Sequence, residues 1–240
     1  MAALALGALL TGCAADAGPA ADAKAPATAT PAGARSQEAR PETPREIPGL
    51  GPKTRAKIDS RTRQVFVVTG GGADANRGTA ALYERGADGG WRRAVGPWPA
   101  RNGLKGWTDD HRLGDLRTPS GVYGLTDAGG RLADPGTELP YDRGPAFTAQ
   151  GRNFDGESLE GAFDHVVAVN YNREPGRTPL DWTRPLGEAK GGGIWIHVDH
   201  GGATQGCVGL ARPRVAELLK RLDPRARPVV AMGPEATLAR

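Results

Sequence analysis

Cys207 and His197 are the side chains on which chemistry converges. Cys207 stands in Thr204-Gln205-Gly206-Cys207-Val208-Gly209-Leu210, and His197 closes the apolar run Gly193-Ile194-Trp195-Ile196-His197 ten residues earlier. A thiol is only slightly ionised at neutral pH, so an imidazole within reach raises its nucleophilicity and later protonates a leaving amine. The chain holds 2 cysteines. The other, Cys13, belongs to an N-terminal export segment, which leaves Cys207 without a disulfide partner and makes it a candidate nucleophile. Gly206 lets the backbone approach a substrate closely. The N–H groups of Gly206 and Cys207, with that of Gln205, are candidate oxyanion donors, each worth roughly 3 kcal/mol.

These residues need a strand and a returning loop. Alternate side chains of an extended segment share a face, so Ile194, Ile196 and Val198 point one way and Trp195, His197 and Asp199 the other. The glycine-bearing stretch from His200 to Gly206 is expected to loop back and bring Cys207 beside His197. Further strands are expected at Gln64 to Thr69, Thr79 to Arg85, Trp91 to Val95, Gly121 to Leu125, His165 to Tyr171 and Pro228 to Met232, separated by glycine-rich turns in the manner of a β-meander. One segment carries a helical period, with Val215, Leu218, Leu219 and Leu222 after Pro213 and a stop at Pro224. The class is therefore mainly β, with a short helix just after Cys207.

The N-terminus sets the compartment. Met1 to Leu10 is apolar apart from glycine, too short to span a bilayer, and runs into Leu10-Thr11-Gly12-Cys13. This segment resembles a bacterial lipobox, although no Lys or Arg precedes the apolar run. The resemblance implies cleavage before Cys13 and a lipid anchor on its sulfur, with residues 1–12 as signal peptide. From Cys13 to Lys57 the chain is Ala, Pro, Thr and Gly with almost no large apolar residue, which reads as a tether that cannot offset its own ordering entropy. Residues 58–240 form the expected domain. The net charge of +4 comes with no basic helix or aromatic RNA-binding motif, which favours anionic wall or lipid surroundings over a specific nucleic-acid role and fits a generically solvated basic surface best.

At Ile196-His197 and Gly206-Cys207-Val208 the chain resembles the L,D-transpeptidase catalytic domain, the YkuD-like family, whose signature is a strand-borne histidine followed by a loop and a Gly-Cys pair. A second block agrees: Gly114-Asp115-Leu116-Arg117-Thr118-Pro119-Ser120-Gly121-Val122-Tyr123 matches the family's G-D-x-x-T-P-x-G-x-[FY] segment, about 90 residues upstream. The resemblance spans roughly Ile58 to Met232. It implies a β-sandwich or meander and a bacterial, extracytoplasmic enzyme, acting as a monomer without metal or organic cofactor. The resemblance further implies that Cys207 attacks the carbonyl of the third residue of a peptidoglycan stem tetrapeptide, that terminal D-alanine leaves, and that a neighbouring stem's side-chain amine resolves the acyl-enzyme into a 3→3 cross-link. By the same resemblance His197 is base and acid, the Val198 carbonyl orients its ring, the Gln205 to Cys207 amides hold the oxyanion, and carbapenems are inhibitors.

Two departures keep alternatives open. Many members read Ser-His-Gly-Cys with Arg two residues after the cysteine, where this chain has Thr204-Gln205-Gly206-Cys207 and Gly209. Gln205 cannot exchange protons and Gly209 cannot hold a carboxylate. A non-catalytic wall-binding lipoprotein and an L,D-carboxypeptidase are therefore the alternatives. A metal hydrolase using His197, Asp199, His200 and Cys207 is a further rival, weakened because His197 and His200 leave a strand end in different directions. His200 reads as an exposed loop residue, and His111 and His165 as structural or incidental. Trp195 and Tyr171 are the weak candidates for a substrate wall.

Overall fold

The computed structural model describes residues 44–240. Cys13, the export segment and most of the expected tether lie outside them. In chain order the elements are α1 (Pro52–Arg55), β1 (Gln64–Gly70), β2 (Arg77–Arg85), β3 (Trp91–Arg101), β4 (Trp107–Thr108), β5 (Thr118–Pro119) and β6 (Gly121–Gly124). They continue as β7 (Ala128–Gly130), β8 (Tyr141–Arg143), β9 (Val166–Ala168), β10 (Trp195–Val198), β11 (Val208–Leu210), α2 (Arg212–Arg221), β12 (Val229–Pro234) and α3 (Glu235–Leu238). The expected mainly β class is what forms. Ten strands make one sheet in the order β6-β12-β1-β2-β3-β11-β10-β9-β7-β8, and β4 pairs β5 separately.

The meander is β1-β2-β3, each antiparallel to the next. β1 reads as an unbroken apolar run because apolar residues cover both its faces. Phe66 and Val68 join the main core, while Val65 and Val67 pack with Ala231 and Leu238 on the other side. β3 runs past the expected end at Val95 to Arg101, and a register shift around Leu82 accommodates it. The expected strand at His165 to Tyr171 keeps only Val166–Ala168, because the Val169 and Asn170 amides turn to the Ile194 and Gly124 carbonyls at 2.9 Å each.

Helix α2 forms where the 3.6 period placed it. Val215, Leu218 and Leu219 are fully buried against the core face of β10, each such burial being worth roughly 1.5–3 kcal/mol. This layer backs the sheet beneath the site.

The tether boundary expected at Lys57 is corrected. Ile47 and Leu50 are buried, Gly51 N donates to the Leu238 carbonyl at 2.8 Å, and Lys53 N donates to the Arg240 carbonyl at 2.8 Å. A side chain on Gly51 would meet the Ala239 carbonyl oxygen at 2.1 Å, so the two ends of the domain approach as only glycine allows. Two apolar residues and a glycine suffice to draw this polar-looking stretch into the fold. Among the described residues no helix is long and apolar enough to cross a membrane.

Candidate active site

Strand β10 carries His197 in the middle of the sheet's far half. β9 runs antiparallel beside it with Val166 opposite His197, and β11 runs parallel with Gly209 opposite His197. Ile196 and Val198 enter the core, as alternation requires, and Trp195 and His197 share the opposite face. Phe163 packs edge-on to both rings there, at centroid distances of 4.9 Å and 5.4 Å. The imidazole is therefore fixed by backbone pairing below and an aromatic wall beside it.

Residues 199–207 are a short connection for parallel neighbours, and they detour to make it. Thr204 pairs with the segment after β3, its N donating to the Asn102 carbonyl at 3.0 Å and its carbonyl accepting from Leu104 N at 2.9 Å. The buried Thr204 hydroxyl then donates to the Cys207 carbonyl at 2.7 Å and accepts from Gly206 N at 3.2 Å. This tight turn delivers Cys207 to the start of β11. Because Ile196 is level with Val208, Cys207 is level with Trp195, and the sulfur accepts from Trp195 N at 3.4 Å while facing the Gly193 carbonyl at 3.5 Å. Cys207 and His197 thus occupy one face as diagonal neighbours, on the order of 8 Å between Cα atoms, and both line the cleft above that face while the sulfur's own hydrogen-bond contacts go to backbone groups.

A cleft of about 460 Å³ opens over that face, with Cys207, His197, His200, Gln205, Gly206 and His111 in its wall. His197 Nδ1 lies 2.9 Å from the Val198 carbonyl. A carbonyl only accepts, so Nδ1 carries the proton and Nε2 keeps a free lone pair. Burial pulls the His197 imidazole down to about 4, against the Val198 carbonyl, which favours the charged ring. Burial likewise pushes the Cys207 thiol up to about 11, with one edge left open to the cleft. The resting pair is a neutral thiol and a neutral imidazole. Such a pair transfers its proton as the sulfur bonds to carbon, and does not hold a preformed thiolate.

A sequence model of YkuD, the L,D-transpeptidase catalytic domain, matches residues 53–230. The chain belongs to this family. No curated protein and no solved structure gives a match. In this L,D-transpeptidase domain the two motif blocks meet in space: the Arg117 carbonyl lies 3.1 Å from where a Gly206 side chain would begin, so the upstream block forms the wall against which the Gly-Cys turn rests.

The other expected site residues fall in different places. Among the described residues the Gln205 and Cys207 amides have no intramolecular acceptor, whereas the Gly206 amide is taken by the Thr204 hydroxyl, which removes it from the expected oxyanion set. Trp195 and Tyr171 do not line the cleft, which corrects the substrate-wall reading. Trp195 packs among Phe147 and Phe163 behind it, and the buried Tyr171 hydroxyl donates to the His111 and Lys190 carbonyls. His200 is not a free loop residue. It stacks on His197 at 5.7 Å with planes 14° apart, and Asn153 Nδ2 holds its carbonyl at 2.9 Å. Asp199 turns to Gly201 N at 3.0 Å, so the rival metal set is not gathered, and among the described residues no group of three or more His, Cys, Asp or Glu is placed to hold an ion. Gly209 lies opposite His197, where a side chain would meet Arg101 Cβ at 3.4 Å and Asp199 Cα at 3.5 Å.

Sequence reasoning missed His111, Thr204 and Phe163. The signal available for His111 was its position four residues before Asp115 of the upstream block. Thr204 and Phe163 carry no motif.

Proposed function

We propose that this protein is a cysteine-dependent L,D-transpeptidase acting on peptidoglycan stem peptides. Cys207 Sγ attacks the carbonyl of the third stem residue while His197 Nε2 takes the thiol proton. The collapse of the tetrahedral intermediate passes that proton to the departing D-alanine amine and leaves a thioester on Cys207. An amine from a neighbouring stem then attacks the thioester and restores the thiol. The Gln205 and Cys207 amides stabilise the oxyanion at both stages. The observation that carries this reading is the placement of Cys207 and His197 on one strand face of one cleft, with the ring's Nδ1 committed to Val198.

The extracytoplasmic setting and the anchor on Cys13 belong to the same proposal, since the substrate lies outside the cytoplasmic membrane. Replacement of Cys13 by Ala is expected to move the protein from the membrane fraction to the soluble exported one. The catalytic reading is tested by incubating the purified domain with a stem tetrapeptide and measuring D-alanine release and cross-linked dimer. Dimer formation supports the transpeptidase, release of D-alanine without dimer supports a carboxypeptidase, and no release supports a non-catalytic wall-binding protein.

A further inference from the structure

A transpeptidase must remove two protons from its acceptor. A stem side-chain amine has an ordinary pKa near ~10.4 and arrives as an ammonium, which must lose one proton to become a nucleophile and a second as the amide forms. His197 carries one proton at a time. Gln205, the side chain just before Gly206, carries none.

The structure puts two further imidazoles in the cleft: His200, stacked on His197, and His111, on the Gly206 and Gly191 side. His111 is 5% exposed and lines the same wall as Gly206 and Gly191. Its Cε1 lies 3.6 Å from where a Gly206 side chain would begin, and its Nε2 lies 2.9 Å from where a Gly191 side chain would begin. Glycine at 191 is what gives the ring its space, and Gly206 lies within ordinary contact of it. Nδ1 faces Asp115 Oδ1 at 3.0 Å, a charge contact off the line of an aligned hydrogen bond. Asp115 itself is held by the amides of Arg112 and Arg117 at 2.8 Å each, so the upstream block works as a carboxylate clamp beside His111. Tyr171 fixes the ring edge-on at 5.3 Å and bonds the His111 carbonyl.

We propose that His111, backed by Asp115, is the base that deprotonates the acceptor ammonium. The step rests on the transpeptidase reading above. His111 Nε2 takes the first proton from the ammonium. The free amine attacks the Cys207 thioester carbonyl, His197 Nε2 takes the second proton as the C–N bond forms, and that proton goes to Sγ as the C–S bond breaks. The products are the amide, the Cys207 thiol, neutral His197 and a His111 imidazolium that returns its proton to water. Burial lowers the His111 pKa, while Asp115 and the Arg117 carbonyl favour its charged form, so the imidazolium has a partner when it forms. The neighbouring Asp110 is turned to Arg112 and Lys190.

The test compares aminolysis with hydrolysis of the acyl-enzyme. Water arrives neutral and needs only one base, so the two nucleophiles differ in the step assigned to His111. Acyl-enzyme formed from a stem tetrapeptide is exposed to an α-blocked lysine amide at pH 6.5 to 9.5 in the parent, His111→Gln and Asp115→Asn. The ratio of aminolysis to hydrolysis is expected to fall on the order of 10²-fold in His111→Gln near neutral pH, by less in Asp115→Asn. The deficit is expected to shrink as pH approaches that of the free amine, because solution then supplies the deprotonated nucleophile. A structural role for His111 would lower both reactions together at every pH. An unaltered ratio in both variants, or a deficit independent of pH, overturns the inference. Failure of the parent to form any acyl-enzyme overturns the transpeptidase reading, and this inference with it. Should His111→Gln not fold, Asp115→Asn and the parent's own rise in aminolysis with pH decide: a rise that simply tracks the free amine from pH 6.5 upward contradicts a base in the cleft.

Discussion

His197 Nδ1 faces the Val198 carbonyl at 2.9 Å, a contact between adjacent residues at the end of one strand. The next residue in the chain thus supplies the group that fixes the tautomer of the proposed base. Loss of the imidazole in His197→Gln is therefore expected to lower kcat/KM by on the order of 10²–10⁴. His200→Ala removes a stacked ring but not that hydrogen bond and should cost less than about tenfold. Steady-state kinetics with a stem tetrapeptide check both. A dead His200→Ala beside a mild His197→Ala would place the base on His200 and contradict its assignment to His197.

The sequence was most informative where period or motif was strong. The three- and four-residue steps of α2 and the alternation about His197 each dictate a face, the β-branched run of β1 dictates a strand buried on both faces, and each is buried accordingly. The wall of the cleft was hidden because it is built from loops. His111 reaches Gly206 through a turn held by Asp115, and the Gly-Cys turn depends on one Thr204 hydroxyl, relations with no periodicity to reveal them. The domain's N-terminal edge was hidden for another reason: its anchors are just Ile47 and Leu50 in a stretch otherwise polar and proline-rich.

The neutral resting pair has a pH signature. With Cys207 pushed up to about 11, the thiolate fraction rises about tenfold per pH unit from 7 to 10. Alkylation of Cys207 by iodoacetamide, in a chain with Cys13→Ser, is expected to follow that slope. A rate already flat from pH 6 would indicate a preformed thiolate and imidazolium instead.

His197 also couples folding to acid. Its folded pKa of about 4 lies below the ordinary 6.5, so between those values the unfolded chain binds more protons and stability falls as pH drops. The contribution, on the order of 3 kcal/mol, is fully present above pH 6.5 and lost as pH falls to about 4. Urea unfolding at pH 7 and 4.5 should show a smaller loss for His197→Gln than for the parent. Equal losses would mean that the ring is not buried as described.

Thr204 is expected to hold the nucleophile in place. Thr204→Val keeps the shape but strips the hydroxyl from the Cys207 carbonyl and the Gly206 amide. The change should cost about 1–3 kcal/mol in urea unfolding. A fall in acylation rate on the order of tenfold should accompany it. Full activity would show that the turn holds without it.

The segment leading from β9 to β10 is locked by a fully buried pair. Arg173 Nη1 meets Asp127 Oδ2 at 2.8 Å, both side chains 3% exposed. Replacing Arg173 by Met alone strands a buried carboxylate and is expected to cost about 3–5 kcal/mol, while the Arg173→Met, Asp127→Leu double variant should recover part of that loss. Denaturant midpoints of the two variants measure it, and an equal or greater loss in the double variant would contradict the pairing.

The proposed chemistry begins with acylation of Cys207. Intact mass of the folded domain after exposure to a carbapenem tests it most directly. One covalent adduct is expected on the parent, located to the peptide containing Cys207, and none on a Cys207→Ala variant with an unaltered circular dichroism spectrum. An unmodified parent, or the same adduct on Cys207→Ala, would contradict it.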